Sequence, residues 1–192
     1  MDLNRVFDNS RERLYLPFLS GTYDQFAQPF AWTMLRFALG ASLVYEGLPK
    51  VMHPLVQMGF VESIGFHPGW FWSPFLALLL FFGGICIFVG FLTRPFALAN
   101  GVMLLVTIWF HISHPYNVPL LSEAGQAAVQ TMPELFTKAG LMRFKDGGMT
   151  FLDLLQEKAV MLQIFWAGSA FLYAAFGGGF FSVDRKFMKK QF

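Results

Sequence analysis

LRFALGASLVYEGLPK, residues 35–50, is apolar enough to form the heart of a membrane-crossing helix, yet it carries Arg36, Glu46 and Lys50. Helical spacing puts Glu46 and Lys50 four residues apart on one face, with Arg36 about 15 Å further along the axis and within roughly 80° of Glu46. A charge near the bilayer centre costs roughly 2.5 to 3.5 kcal/mol on insertion scales, so the stripe these residues share is expected to face a protein interior. In the plainer alternative Arg36 and Lys50 snorkel to opposite headgroup layers, and only Glu46 needs a partner, which Lys50 supplies.

The rest of the chain supplies the membrane. Of 192 residues 55% are hydrophobic and 25 are Phe, and the mean hydropathy is +0.49, well above what one soluble core requires. Four runs, 30–49, 70–92, 95–112 and 159–181, are long enough to cross about 30 Å of hydrocarbon as helices. The second and fourth hold no charge, and none alternates in polarity as β-barrel strands do. The expected fold is therefore all-α, an integral membrane four-helix bundle. An N-terminal interfacial segment is expected over 1–29, a helical membrane domain over 30–187 and a basic tail over 188–192. The first 29 residues mix Arg5, Arg11 and Arg13 with acidic residues and lack a continuous apolar run, so no cleaved signal is expected. Aromatics spaced among polar positions and prolines in LYLPFLSGTYDQFAQPF, residues 14–30, suit a segment lying along the interface.

Four crossings place both termini on one side, together with Arg5, Arg11, Arg13, Arg94, Arg185, Lys186, Lys189 and Lys190. By the positive-inside rule that side is cytoplasmic, and the expected location is a bacterial-type inner membrane. Trp32 then falls near the inner interface, and Trp70, Trp72 and Trp109 near the outer one. His53, His67, His111 and His114 all land on or near the non-cytoplasmic face, as does a long loop between the third and fourth helices. Within that loop Met132, Leu135, Phe136, Ala139 and Met142 are spaced as the apolar stripe of one interfacial helix, a candidate partner surface or lid.

Candidate chemistry is sparse. His111 and His114, three apart, are weak candidates for a shared metal, and neither Cys nor clustered carboxylates join them. No histidine lies mid-span to hold haem, so no metal or haem is expected. Cys86 is alone and reads as packing. Asp153 and Glu157, just before the fourth run, suit the start of a helix through its dipole. No nucleotide loop, nucleophile elbow or nucleic-acid patch is present, and nucleic acid is not an expected partner. The candidate interior polar site is therefore Arg36, Glu46 and Lys50, with no catalytic residue assigned.

Three patterns together resemble the DoxX/DoxD-like family of small four-helix membrane proteins. The first helix matches an R-x(3)-G-x(6)-G-x(2)-K pattern through Arg36, Gly40, Gly47 and Lys50. The second matches GG-x(5)-G-x(2)-[TS]-R through Gly83, Gly84, Gly90, Thr93 and Arg94, and GGGFFSVD, residues 177–184, matches a glycine-rich exit from the fourth. Family members often carry a carboxylate shortly before the paired glycines, where this chain has Leu79, Leu80, Phe81 and Phe82. The resemblance implies a membrane subunit of a redox system, with quinone as cofactor and other protein subunits as partners beside the lipid bilayer. A non-catalytic anchor or assembly factor is the alternative, and a small solute or proton conduit a third class. Conduits usually show repeated halves, and no internal repeat is present.

Overall fold

The computed structural model describes residues 14–116, 118–179 and 181–186, and among them every regular element is helical. A 3-10 turn, Pro17–Leu19, then α1, Ser20–Thr22, and a π-helical turn, Tyr23–Ala27, run without a break into α2, Gln28–Met52. The described part of the expected interfacial segment is thus helical from Pro17 on, and Phe18 and Phe26 stand exposed along it. Pro29, next to the junction of the π-helical turn with α2, gives no N–H to the ladder, and α2 ends soon after Pro49.

α3, Met58–Ser63, leads to α4, Gly69–Val89. Glu62 accepts the Gly69 N–H at the start of α4, and the Ser73 hydroxyl donates to the Pro54 carbonyl. α4 stops at Gly90, whose φ of +78° is the left-handed conformation glycine adopts without steric cost. The Gly90 and Phe91 N–H groups close the last turn on the Cys86 carbonyl, satisfying a helix end in the manner of a glycine cap. α5, Thr93–Ser113, follows at once.

The long loop holds two helices rather than one. α6, Glu123–Thr131, is capped by Ser122, and α7, Lys138–Phe144, by Thr137, with a 3-10 turn at Pro133–Leu135 between them. Pro133 has no N–H to give and cannot continue α6, so Met132, Leu135 and Phe136 fall in the break instead of on a shared stripe. α8 spans Met149–Phe176, ten residues earlier than the apolar run begins. Its first turn is held by Asp146, which accepts from the Thr150 N–H and hydroxyl, bonds that keep its carboxyl below the usual carboxylate range. Asp153 and Glu157 lie inside α8, on exposed positions, and not ahead of it. α9, Val183–Lys186, is the last described element.

Three helices, α4, α5 and α8, are long and apolar enough to cross a membrane. α2 has the length, at 25 residues, but is less apolar and is not one of the three. By internal contacts the chain divides into two compact units, one drawn from Met1–Gly101 and Gly168–Phe192, the other Val102–Ala167. In the first, α2 lies against α4. A buried stripe on α2, Thr33, Arg36, Leu39, Gly40, Leu43 and Gly47, recurs at the three- and four-residue spacing of one helix face. A Cβ on Gly40 would come within 2.7 Å of the Phe88 backbone, and one on Gly47 within 2.7 Å of the Phe81 backbone. Gly84 answers from α4, where a Cβ would meet Val44 and Leu43 at 2.9 Å. Small residues on both sides let two backbones meet, the usual means of holding helices together in lipid, which offers no hydrophobic drive of its own.

Candidate functional site

Arg36 sits in the middle of the α2 stripe and is 1% exposed. Its two terminal nitrogens donate to the carbonyls of Gly178 at 2.6 Å and Phe181 at 2.9 Å, just beyond the end of α8. The glycines of 177–179 make this possible. Gly177 and Gly179 have φ of +81° and +79°, and a Cβ on Gly178 would come within 2.7 Å of the Thr93 hydroxyl. A side chain on Gly90 would strike the Arg36 guanidinium at 2.5 Å. The backbone turns back on itself here, and the guanidinium fork fills the turn.

Asp184 completes the cluster. Its carboxylate accepts from the Leu92 N–H at 2.8 Å, the Thr93 N–H at 3.1 Å and the Thr93 hydroxyl at 3.2 Å, and it interacts electrostatically with Arg36. Its own N–H donates to the Gly90 carbonyl at 3.0 Å. One buried acid thus caps α5 from 91 residues away, placing negative charge where the helix dipole is positive. Trp32 donates to the Gly177 carbonyl at 3.1 Å and receives the Tyr173 hydroxyl on its own carbonyl at 2.5 Å, their rings meeting edge to face. Sequence reasoning missed Asp184, Thr93, Trp32 and Tyr173 as members of one cluster; the signal available was the SVD that follows three glycines.

Glu46 and Lys50 meet each other, with 3.9 Å between Nζ and the nearer carboxylate oxygen. Their side chains are 44% and 29% exposed, on the flank of the buried stripe and not in it. The structure therefore joins two of the three candidate residues, while Arg36 is bonded to the exit of α8. Deeper between α4 and α5, the buried Asn100 donates to the carbonyls of Leu79 and Phe96, and its Oδ1 has no hydrogen-bond partner among the described residues.

The second unit places the candidate histidines. The exposed His114 ring stacks on Phe110 with centroids 4.4 Å apart, and its Nδ1 faces the Phe110 carbonyl at 3.2 Å. His111 lies edge-on to Tyr116. Gln156 of α8 ties this end of α5 down, donating to the His111 carbonyl and accepting the Tyr116 N–H at 2.9 Å. A shallow cavity of about 510 Å³ beside them is lined by His111, Pro115, Asp153, Gln156 and Glu157. Among the described residues no three histidines, cysteines or carboxylates gather as metal ligands.

Three spanning-length helices, with exposed apolar side chains such as Phe82 on α4, Val102 on α5 and Phe165 on α8, define a multi-pass helical membrane protein. Residues 31–112 match the family model described as DoxX. The match runs from the start of α2 to the last turn of α5 and bears out the resemblance read from the sequence over those residues. No curated protein and no solved structure matches the chain.

Proposed function

We propose that this chain is a four-crossing membrane subunit of a quinone-linked redox system, acting with partner proteins in a bacterial-type inner membrane. The observation that carries the reading is the half-exposed Glu46–Lys50 pair. Opposite charges on the flank of α2 are costly against hydrocarbon, so a polar group is needed to cover them. A quinone bound there would supply the two-electron chemistry. Lys50 is a donor suited to a ring carbonyl, and Glu46 is a carboxylate that can hold a proton beside it. Electrons would come from a partner protein. The DoxX match supports a membrane subunit of this kind, and the redox role rests on the family resemblance.

Crossing by α2 is supported by its glycine contacts with α4. Gly40 and Gly47 touch the α4 backbone seven residues apart, so α2 shares about 10 Å of the depth of a spanning helix. Four crossings return the C-terminal end to the side of Arg94, Arg185 and Lys186, which the positive-inside rule makes cytoplasmic. One observation favours the second reading, a non-catalytic anchor: the buried cation Arg36 is committed to backbone carbonyls and serves the fold.

Purification in mild detergent, with extracted quinone assayed and co-purifying chains identified, separates the two. Quinone is expected in the wild-type preparation and a several-fold loss of it in Glu46→Gln and Lys50→Gln at unchanged melting temperature. A quinone-free wild-type preparation that keeps its partner chains overturns the redox reading in favour of the anchor.

A further inference from the structure

The α4–α5 turn and the exit of α8 meet at one end of the first unit, and a groove opens on its side. Arg94, Pro95 and Leu98 of α5 form one wall and Phe171, Ala174 and Ala175 of α8 the other, around a volume of about 390 Å³. The two helices run in opposite directions here, so Arg94 and Ala175 lie towards the helix ends, while Leu98 and Phe171 lie about one turn, roughly 6 Å, further in. A cation stands at the rim and the deeper part is apolar, with Leu98 51% exposed. Among the described residues Arg94 makes no ion pair, and its buried Nε has no hydrogen-bond partner. Asp184, the carboxylate of the neighbouring cluster, is already taken up by Leu92 and Thr93. α9, bonded to the α4–α5 turn through Asp184, adds Arg185 and Lys186 to the same end.

An amphiphile with an anionic head and an apolar chain fits this order of groups. We propose that the groove is an anionic phospholipid site, with the phosphate on the Arg94 guanidinium and the upper acyl chain against Leu98, Phe171 and Ala174. Among the described residues Arg94 has no ion-pair partner at this helix end, and its planar fork suits a phosphate oxygen pair. Pro95 keeps the rim rigid, and the alanines leave the width an acyl chain needs. The groove is separate from Glu46 and Lys50, so the site stands whether or not those residues bind quinone.

The test uses the full chain, stripped of lipid in detergent and examined by native mass spectrometry with dioctanoyl phosphatidylglycerol, dioctanoyl phosphatidylcholine, inorganic phosphate or a short-chain ubiquinone added. Phosphatidylglycerol is expected to bind in preference to phosphatidylcholine, and inorganic phosphate, which lacks the chain, to give no adduct at the same concentration. Arg94→Gln should weaken phosphatidylglycerol roughly fivefold, the loss expected of one basic residue at an anionic surface, and abolish the headgroup preference. Ala174→Phe fills the groove and leaves the charge in place, and it should weaken both lipids together. Equal binding of the two lipids by the wild type, an unchanged preference in Arg94→Gln, or displacement of the lipid by ubiquinone alone overturns the proposal. Should Arg94→Gln fail to fold, loss of binding in a folded Ala174→Phe supports the site and full retention rejects it.

Discussion

Arg36 holds two carbonyls that would otherwise be stranded at the end of α8, and this sets what can replace it. Lysine has the charge but not the fork, and one ammonium cannot reach Gly178 and Phe181 in the same geometry. A hydrogen bond to a charged group contributes about 1.5 to 3 kcal/mol, so Arg36→Lys should lose roughly one such bond and melt at a clearly lower temperature in detergent. An arginine that only snorkelled to headgroups would accept lysine without change, and a wild-type melting curve would return Arg36 to that role. Asp184→Asn makes the matching test from the other side of the cluster. The amide keeps one acceptor but turns its NH2 toward either the Leu92 or the Thr93 N–H, and loss of a cap costs about 1 kcal/mol. Burial of Arg36 could be read from sequence, because the insertion cost of a charge demands it. Its acceptors could not, since they are backbone carbonyls, and no side-chain pattern marks which carbonyls a turn leaves open.

Between helices, contact is made where side chains are missing. Gly40→Ala would push a methyl into the Phe88 backbone, which is part of α4 and has no rotamer to yield. Overpacking of this kind costs about 1 to 3 kcal/mol, and here it would part the two helices as well. Gly168, inside α8, is the control, since nothing lies within 4 Å of a Cβ there. Gly168→Ala should hold or raise the melting temperature, because alanine favours helix by up to about 1 kcal/mol over glycine. Equal effects at both positions would mean that α2 and α4 do not meet at Gly40. The spanning elements α4, α5 and α8 were legible as long apolar runs, with the ends of α4 and α5 within three residues, but the start of α8 was not. α8 starts ten residues early because Asp153, Gln156 and Glu157 are helical without being apolar, and hydropathy sees only the part that lipid touches. The split of the loop into α6 and α7 was legible in principle, since Pro133 stands in the middle of the expected helix.

For the molecule as a whole, the number of crossings decides everything else, including which side each histidine occupies. Three helices qualify by length and apolarity, and an odd number would put the two ends of the chain on opposite sides. Under the function proposed above, α2 would make the count four. The terminal nitrogens of its Arg36 are held by the carbonyls of Gly178 and Phe181, while the buried Nε has no hydrogen-bond partner among the described residues, and its glycines meet the α4 backbone at Phe88 and Phe81. A crossing α2 would set its buried Arg36 against protein and not against lipid. A reporter fused after Lys190 should then be cytoplasmic, and one inserted near Gly125, in α6 between the last two crossings, should be exported. An N-terminal reporter adds the discriminating arm, because four crossings place it on the same side as the Lys190 fusion and three place it opposite. If the two terminal reporters disagree while the Gly125 insertion is exported, α2 lies along the surface and Glu46 and Lys50 face water. In that case the half-exposed pair needs no quinone to cover it, and the anchor reading takes its place.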